Sequence, residues 1–225
     1  MSRVTPVFAL VPVRAFPESK KRLASLLAPE ERIALARTML EDVLDCLGRS
    51  PAVAGIAVVT DDADAAALAR DYGARVLPDA PDGGLNASLA GAAAWLGATR
   101  PEIAALIIHA DLPAATLGDI AALVAEKSDV VLARAHDGGT NALLLRPGIS
   151  LRFAFGADSC ARHLASARAA GLSVGLVARA GLALDLDRPE DVARYLARAG
   201  NSRTLGLLHR LGVPLRLRAK AGAQP

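Results

Sequence analysis

The chain has 225 residues, of which 52% are hydrophobic and 22% charged, a balance that suits one folded α/β unit with a full core and excludes disorder. Aromatic residues make up 3%, too few for the stacking platforms of single-stranded nucleic acid, and no apolar run approaches the roughly 18 residues of a membrane span. The charge of +3 is uneven: Ser202 to Pro225 holds five cations (Arg203, Arg210, Arg216, Arg218, Lys220) and no acid, leaving 21 cations against 23 acids elsewhere, so the basic excess belongs to a tail and not to a nucleic-acid-binding face.

The N-terminal stretch has one cation before Val13, is broken by Pro12 and lacks a small-residue cleavage site. It reads as a first strand over 7–13 and not as a secretion leader. Pro29 to Leu47 is the clearest helix, with Pro29 at its first position, Glu30 and Glu31 at the positive dipole end, and Ile33, Ala36, Leu40, Val43, Leu44 and Leu47 at helical spacing before Gly48. A strand over 55–60, a helix over 63–72, a strand over 75–77 and a helix over 86–96 follow. Next come a strand over 104–109, a helix over 116–125 with Thr116 as its cap, and strands over 129–133 and 142–145. A helix over 159–170, strands over 173–177 and 182–185 and a helix over 189–199 complete the pattern. A terminal helix is expected over 203–211, and a loosely ordered end from Pro214. This alternation predicts an α/β fold with a mixed, mainly parallel sheet and helices on both faces. The helix-free link between 133 and 142 predicts one antiparallel pairing.

In such sheets ligands bind beyond the carboxyl ends of the strands. After the first strand, Arg14, Lys20, Lys21 and Arg22 place four cations within nine residues, which can surround a polyphosphate or form a solvated loop. There is no GxGxxG there and no GxxxxGK[ST] in the chain. Asp111, fixed by Pro113 beyond the strand ending at His109, is placed to hold a cation or to cap the next segment. Asp185 and Asp187 stand at i and i+2, so on an extended chain they share a face about 7 Å apart. Such a pair repels unless a cation intervenes, and Mg²⁺ suits it, although Asp187 also reads as a cap of the following helix.

Pro81 to Asn86 (PDGGLN) enters a helix through glycines that let a ligand approach the backbone. His136 to Asn141 joins two strands and reads also as a plain hairpin loop. Gly156 permits close approach, and Ser159 stands at a helix N-terminus as a phosphate ligand or a cap. His163 supports that helix or approaches the ligand, and His109 packs at its strand end. Cys46 and Cys160 cannot form a four-thiolate zinc site and read as packing, with no base placed to activate Cys160. The cytoplasm is the expected compartment.

In order, VPVRAFPESKKRL (11–23), VVTDD (58–62), GGLNASL (83–89), ADLP (110–113), GGTNALLLRP (138–147), FAFGADSCARH (153–163) and LALDLDRPED (182–191) resemble the 2-phospho-L-lactate and phosphoenolpyruvate guanylyltransferases of coenzyme F-420 biosynthesis. The similarity runs from about Val7 to Leu196 and implies a nucleotidyltransferase (glycosyltransferase-A-like) fold, read here as a domain over 1–201; the basic helix and tail over 202–225 have no counterpart in it. It implies GMP transfer from GTP to the phosphate of phosphoenolpyruvate, 2-phospho-L-lactate or 3-phospho-D-glycerate, with release of pyrophosphate. Asp111, Asp185 and Asp187 would hold Mg²⁺ as the catalytic residues, and Thr140, Gly156 and Ser159 would hold the acceptor. Arg14, Lys20 and Arg22 would face the triphosphate, and Gly83, Gly84 and Asn86 the nucleotide. Arg14 stands where the family often has Lys. The expected partners are GTP and a small three-carbon phospho-acid, without nucleic acid or membrane, and a homodimer is left open. Alternatives on the same fold are an enzyme activating a sugar phosphate or molybdopterin, or a non-catalytic nucleotide-binding protein. The tail leaves a polyanion-binding reading as a third.

Overall fold

β1 (Val7–Pro12) is apolar at every position, as a strand buried on both faces must be. It lies between parallel neighbours, β2 (Val53–Val59) and β4 (Ala104–Ile108). The structure, a computed structural model, describes residues 6–80, 83–198 and 200–222. Pro81 and Asp82 of the glycine loop, Ala199 at the expected end of the 189–199 helix, and residues 223–225 of the expected tail lie outside that set.

Among the described residues the sheet has seven strands in the order β3-β2-β1-β4-β6-β5-β7, with β3 at Arg75–Leu77, β5 at Val130–Arg134, β6 at Thr140–Leu145 and β7 at Val174–Leu176. β6 runs antiparallel to both β4 and β5, and the other pairings are parallel. The helix-free link thus gives the antiparallel β5–β6 pairing expected from sequence, and β6 pairs antiparallel with β4 as well. Its reversal brings the first residues of β6, Thr140 and Asn141, to the edge where the other strands end.

Period-two alternation sorts the core into two layers. Val7, Ala9 and Val11 pack with α1 (Pro29–Gly48), α2 (Ala63–Asp71) and α4 (Leu117–Ala125) on one face. Phe8 and Leu10 pack with α3 (Gly84–Thr99) and α5 (Ser159–Ala169) on the other. Each fully buried leucine contributes about 1.5–3 kcal/mol. α1 starts as its sequence indicates, with Pro29 in the first turn and Glu31 accepting the Ala28 N–H at 2.9 Å. Thr116 caps α4 by accepting the Asp119 N–H at 3.2 Å.

Two expectations need correction. Residues 182–185 form no strand: a short helix, α6 (Ala180–Ala183), leads into an extended segment whose Leu186 N–H donates to the Asp111 carbonyl at 3.2 Å. Its alternating LALDL pattern suits a strand, but isolated backbone bonds, this one and the His136 N–H to the Ala183 carbonyl at 2.9 Å, replace a sheet ladder. From Pro214 to Gly222 the chain is helical and not loose. After α7 (Pro189–Leu196), α8 (Arg203–Arg210) and α9 (Val213–Gly222) add a third cluster in which Leu208 and Val213 pack with Leu35 and Met39 of α1. Among the described residues no helix is long and apolar enough to cross a membrane.

Candidate active site

Asp111 stands three residues beyond β4. Across from it, Leu184 and Leu186 are buried in the cluster with Leu23, Leu27 and Leu35, and their alternation turns Asp185 and Asp187 the other way. One carboxylate oxygen from each of Asp111, Asp185 and Asp187 lies within 4.8 Å of the others. At an effective dielectric of about 20, charges that close repel by roughly 3 kcal/mol per pair. Burial raises the Asp185 pKa, and the Asp111 charge raises it further against the bond donated by Asn141 Nδ2 at 3.1 Å. Asp111 Oδ1 is buried without a hydrogen-bond partner among the described residues. Three hard oxygen donors with one orphaned among them fit a divalent cation such as Mg²⁺.

The basic loop divides. Arg14 is exposed, Lys21 pairs with Glu18 at the surface, and Arg22 reaches Asp187 Oδ2 at 3.5 Å. Lys20 instead turns inward, its Nζ 2.6 Å from Asp111 Oδ2 and 2.7 Å from Asp187 Oδ1. Burial works to lower the Lys20 pKa, but the two carboxylates outweigh it and raise it. Burial would likewise raise that of Asp111, and the Lys20 charge holds it low. The loop is anchored by Asp62, which caps α2 through the Ala65 N–H and accepts the Phe16 N–H at 3.1 Å.

On the other side of Asn141 lies a buried polar network. The Ala154 N–H donates to His163 Nε2 at 2.9 Å, so the imidazole proton sits on Nδ1 and is donated to Thr140 Oγ1 at 3.0 Å. Ser159 Oγ donates to the same oxygen at 3.1 Å, which leaves the Thr140 hydroxyl proton uncommitted in this network. Burial, with the Arg162 charge and then His109 added, pulls the His163 pKa down to about 4. Gly156 has a φ of +123°, a conformation open to glycine, and its carbonyl accepts the Ser159 N–H at 3.2 Å.

The structure therefore brings together Asp111, Asp185 and Asp187, with Lys20 among them and Arg22 at their edge, and groups Thr140, Ser159 and Gly156. Gly83 precedes α3, and Gly84 opens it at a φ of +62°. Asn86 is committed to Phe155, accepting its N–H at 2.7 Å and donating to its carbonyl at 3.3 Å. This bond ties the glycine loop to the Phe153–Ser159 loop. His163 takes the supporting role, and His109 packs against Phe155 in a tilted arrangement with ring centres 5.4 Å apart. Cys46 and Cys160 are buried thiols, and burial pushes Cys46 up to about 11.

Two residues escape a reading of the sequence. Asn141 links Asp185 to the Leu182 carbonyl, and His136 Nε2 lies 3.0 Å from Asp191 Oδ1, with Asp191 capping the Arg188 N–H that follows the acidic segment. Their partners are distant in sequence, so spacing carries no sign of them.

A family model described as "Guanylyl transferase CofC like" matches residues 7–223. The chain belongs to this family. CofC-like relatives include a 3-phospho-D-glycerate guanylyltransferase of Phenylobacterium zucineum, 40% identical over 205 residues that cover 89% of this chain and 94% of that one. A phosphoenolpyruvate guanylyltransferase of Conexibacter woesei is 38% identical over 217 residues, 91% and 96% of the two chains. Family membership makes this protein an enzyme of the nucleotidyltransferase class. The fold agrees. A structure from Desulfovibrio desulfuricans G20, provisionally described as a nucleotide-diphospho-sugar transferase, superposes with a TM-score of 0.78 at 18% identity, covering 95% and 97% of the chains. A 4-diphosphocytidyl-2C-methyl-D-erythritol synthase of Anaerococcus prevotii gives 0.55 at 14%, covering 86% and 97%.

Proposed function

We propose that this CofC-like chain transfers GMP from GTP to the phosphate of a three-carbon phospho-acid (phosphoenolpyruvate, 2-phospho-L-lactate or 3-phospho-D-glycerate), releasing pyrophosphate, in coenzyme F-420 biosynthesis. The observation that carries the reading is the junction on β6. Asn141 is bonded to the carboxylate cluster, and its neighbour Thr140 to Ser159. The carboxylate cluster and the hydroxyl pair thus stand side by side, which supports a cation on the one and an anion on the other.

An acceptor phosphate oxygen attacks the α-phosphorus of GTP as the bond to pyrophosphate breaks. The phosphate is already anionic, so no general base and no covalent intermediate are needed. The task is to bring two polyanions together and stabilise charge on the leaving group. Asp111, Asp185 and Asp187 would hold Mg²⁺, which when bound neutralises charge on the reacting and departing phosphates. Thr140, Gly156 and Ser159 orient the acceptor, with the uncommitted Thr140 hydroxyl proton as a donor to its phosphate. Arg14 and Arg22 face the triphosphate, and Gly83 and Gly84 line the nucleotide, with Asn86 bracing their loop.

The test is incubation with GTP, Mg²⁺ and each phospho-acid in turn, with mass detection of product. A GMP adduct of one of the three acids is expected. Turnover only with CTP and a sugar phosphate, or binding without turnover, would overturn the assignment.

A further inference from the structure

Lys20 is the cation of the basic loop that faces away from solvent, its side chain 7% exposed. It holds two of the three converging carboxylates at once, Asp111 and Asp187. Its backbone is left-handed, with φ 56° and ψ 29°, a conformation that a lysine keeps only where its surroundings impose it. Phe16, tied to Asp62, constrains the chain before it, and the fully buried Leu23 the chain after it. The loop therefore aims this ammonium inward while Arg14, Lys21 and Arg22 stay at the surface.

We propose that Lys20 is the built-in counter-ion of the carboxylate site. It holds Asp111 and Asp187 together in the absence of a divalent cation, yields their oxygens when one binds, and is then free to turn to the nucleotide's phosphates. The proposal rests on the metal-site reading above. An ammonium and a divalent cation drawn to the same oxygens repel each other, so each weakens the other's hold. Carboxylates crowded together need a cation at every stage, and the exchange keeps them partnered throughout while Lys20 is released. Metal binding would thereby deliver Lys20 beside Arg14 and Arg22 at the moment the triphosphate needs it.

Two measurements on the full chain without nucleotide test this. Mn²⁺ binding, followed by electron paramagnetic resonance, is expected to tighten at least about tenfold in Lys20→Met, the factor set by an ammonium that occupies the site about nine-tenths of the time. Lys20→Arg, which keeps the charge, is expected to stay near the unsubstituted protein. In that unsubstituted protein, reductive methylation read by mass spectrometry is expected to modify Lys20 several-fold faster on addition of Mg²⁺, with exposed Lys127 as reference. Faster modification confirms release without relying on the folding of a variant. Lys20 methylation unmoved by Mg²⁺, or Mn²⁺ binding by Lys20→Met no tighter than in the unsubstituted protein, overturns the counter-ion role while leaving the metal site standing. Mn²⁺ binding by neither protein removes the metal site and the proposal together.

Discussion

Replacing Asp185 by Asn keeps the shape of the side chain and removes its charge, which isolates the electrostatic contribution of the carboxylate cluster. Asp185→Asn is expected to lower turnover at least about 10²-fold, the scale of losing one charge-stabilising element, as measured by pyrophosphate release; near-normal turnover would take Asp185 out of the metal site. Ser159→Ala is expected to act on the acceptor, raising its KM about 10- to 100-fold, the worth of one hydrogen bond to an anion, with the KM for GTP little changed. His163 sets a pH dependence of stability. Its pKa falls from 6.5 to about 4 on folding, so the unfolded chain takes up a proton between those values that the folded chain refuses. Stability on the order of 3 kcal/mol is therefore intact above pH 6.5 and lost as pH falls toward 4. Thermal unfolding from pH 7 to 4 checks this, and His163→Gln is expected to show a shallower decline. At this scale the charged residues are legible from sequence, because acids at strand ends point to cation chemistry whatever their partners. Asn141 is not, since its role depends on Asp185, 44 residues away.

Among the described strands, the reversed β6 gives the site its layout, for it alone of them begins where its neighbours end. The sequence betrays that reversal through the missing crossover helix, since parallel neighbours need a connection of a dozen or more residues. The segment 184–187 shows the limit of such a pattern. Its period-two pattern is real, with Leu184 and Leu186 buried and the two aspartates opposite, but alternation shows which side faces the core and not whether a strand pairs. The loop from Phe153 to Ser159 depends on Gly156, whose φ of +123° an L side chain resists. Gly156→Ala is expected to cost about 1–3 kcal/mol and to raise the acceptor KM by displacing Ser159. Calorimetry together with acceptor kinetics checks this, and an unchanged KM would separate the loop from the acceptor.

On the scale of the whole molecule, the basic end of the chain is a layer of the fold. Arg216 pairs with Glu31 at 2.6 Å, and Arg203 lies 3.6 Å from both Asp42 and Asp45, so part of the excess that composition assigns to a tail offsets acids on α1. Composition could count those charges but not show where the tail docks. Leu208 is fully buried against α1, and Leu208→Ala is expected to cost about 2–5 kcal/mol and lower the Tm by about 5–15 °C; an unchanged Tm would mean that α8 is dispensable to the fold. A groove of about 880 Å³ between α1, α4 and α8 contains none of the three carboxylates, and Asp42 within it is already committed to the N–H groups of Arg203 and Thr204. The chemistry proposed for the carboxylate cluster is tested most directly by an anomalous diffraction map from crystals grown with Mn²⁺, a non-hydrolysable GTP analogue and phosphoenolpyruvate. A peak bonded to Asp111, Asp185 and Asp187, with phosphate density reaching Thr140 and Ser159, is the predicted result. Metal bound elsewhere, or acceptor density remote from that pair, would contradict it.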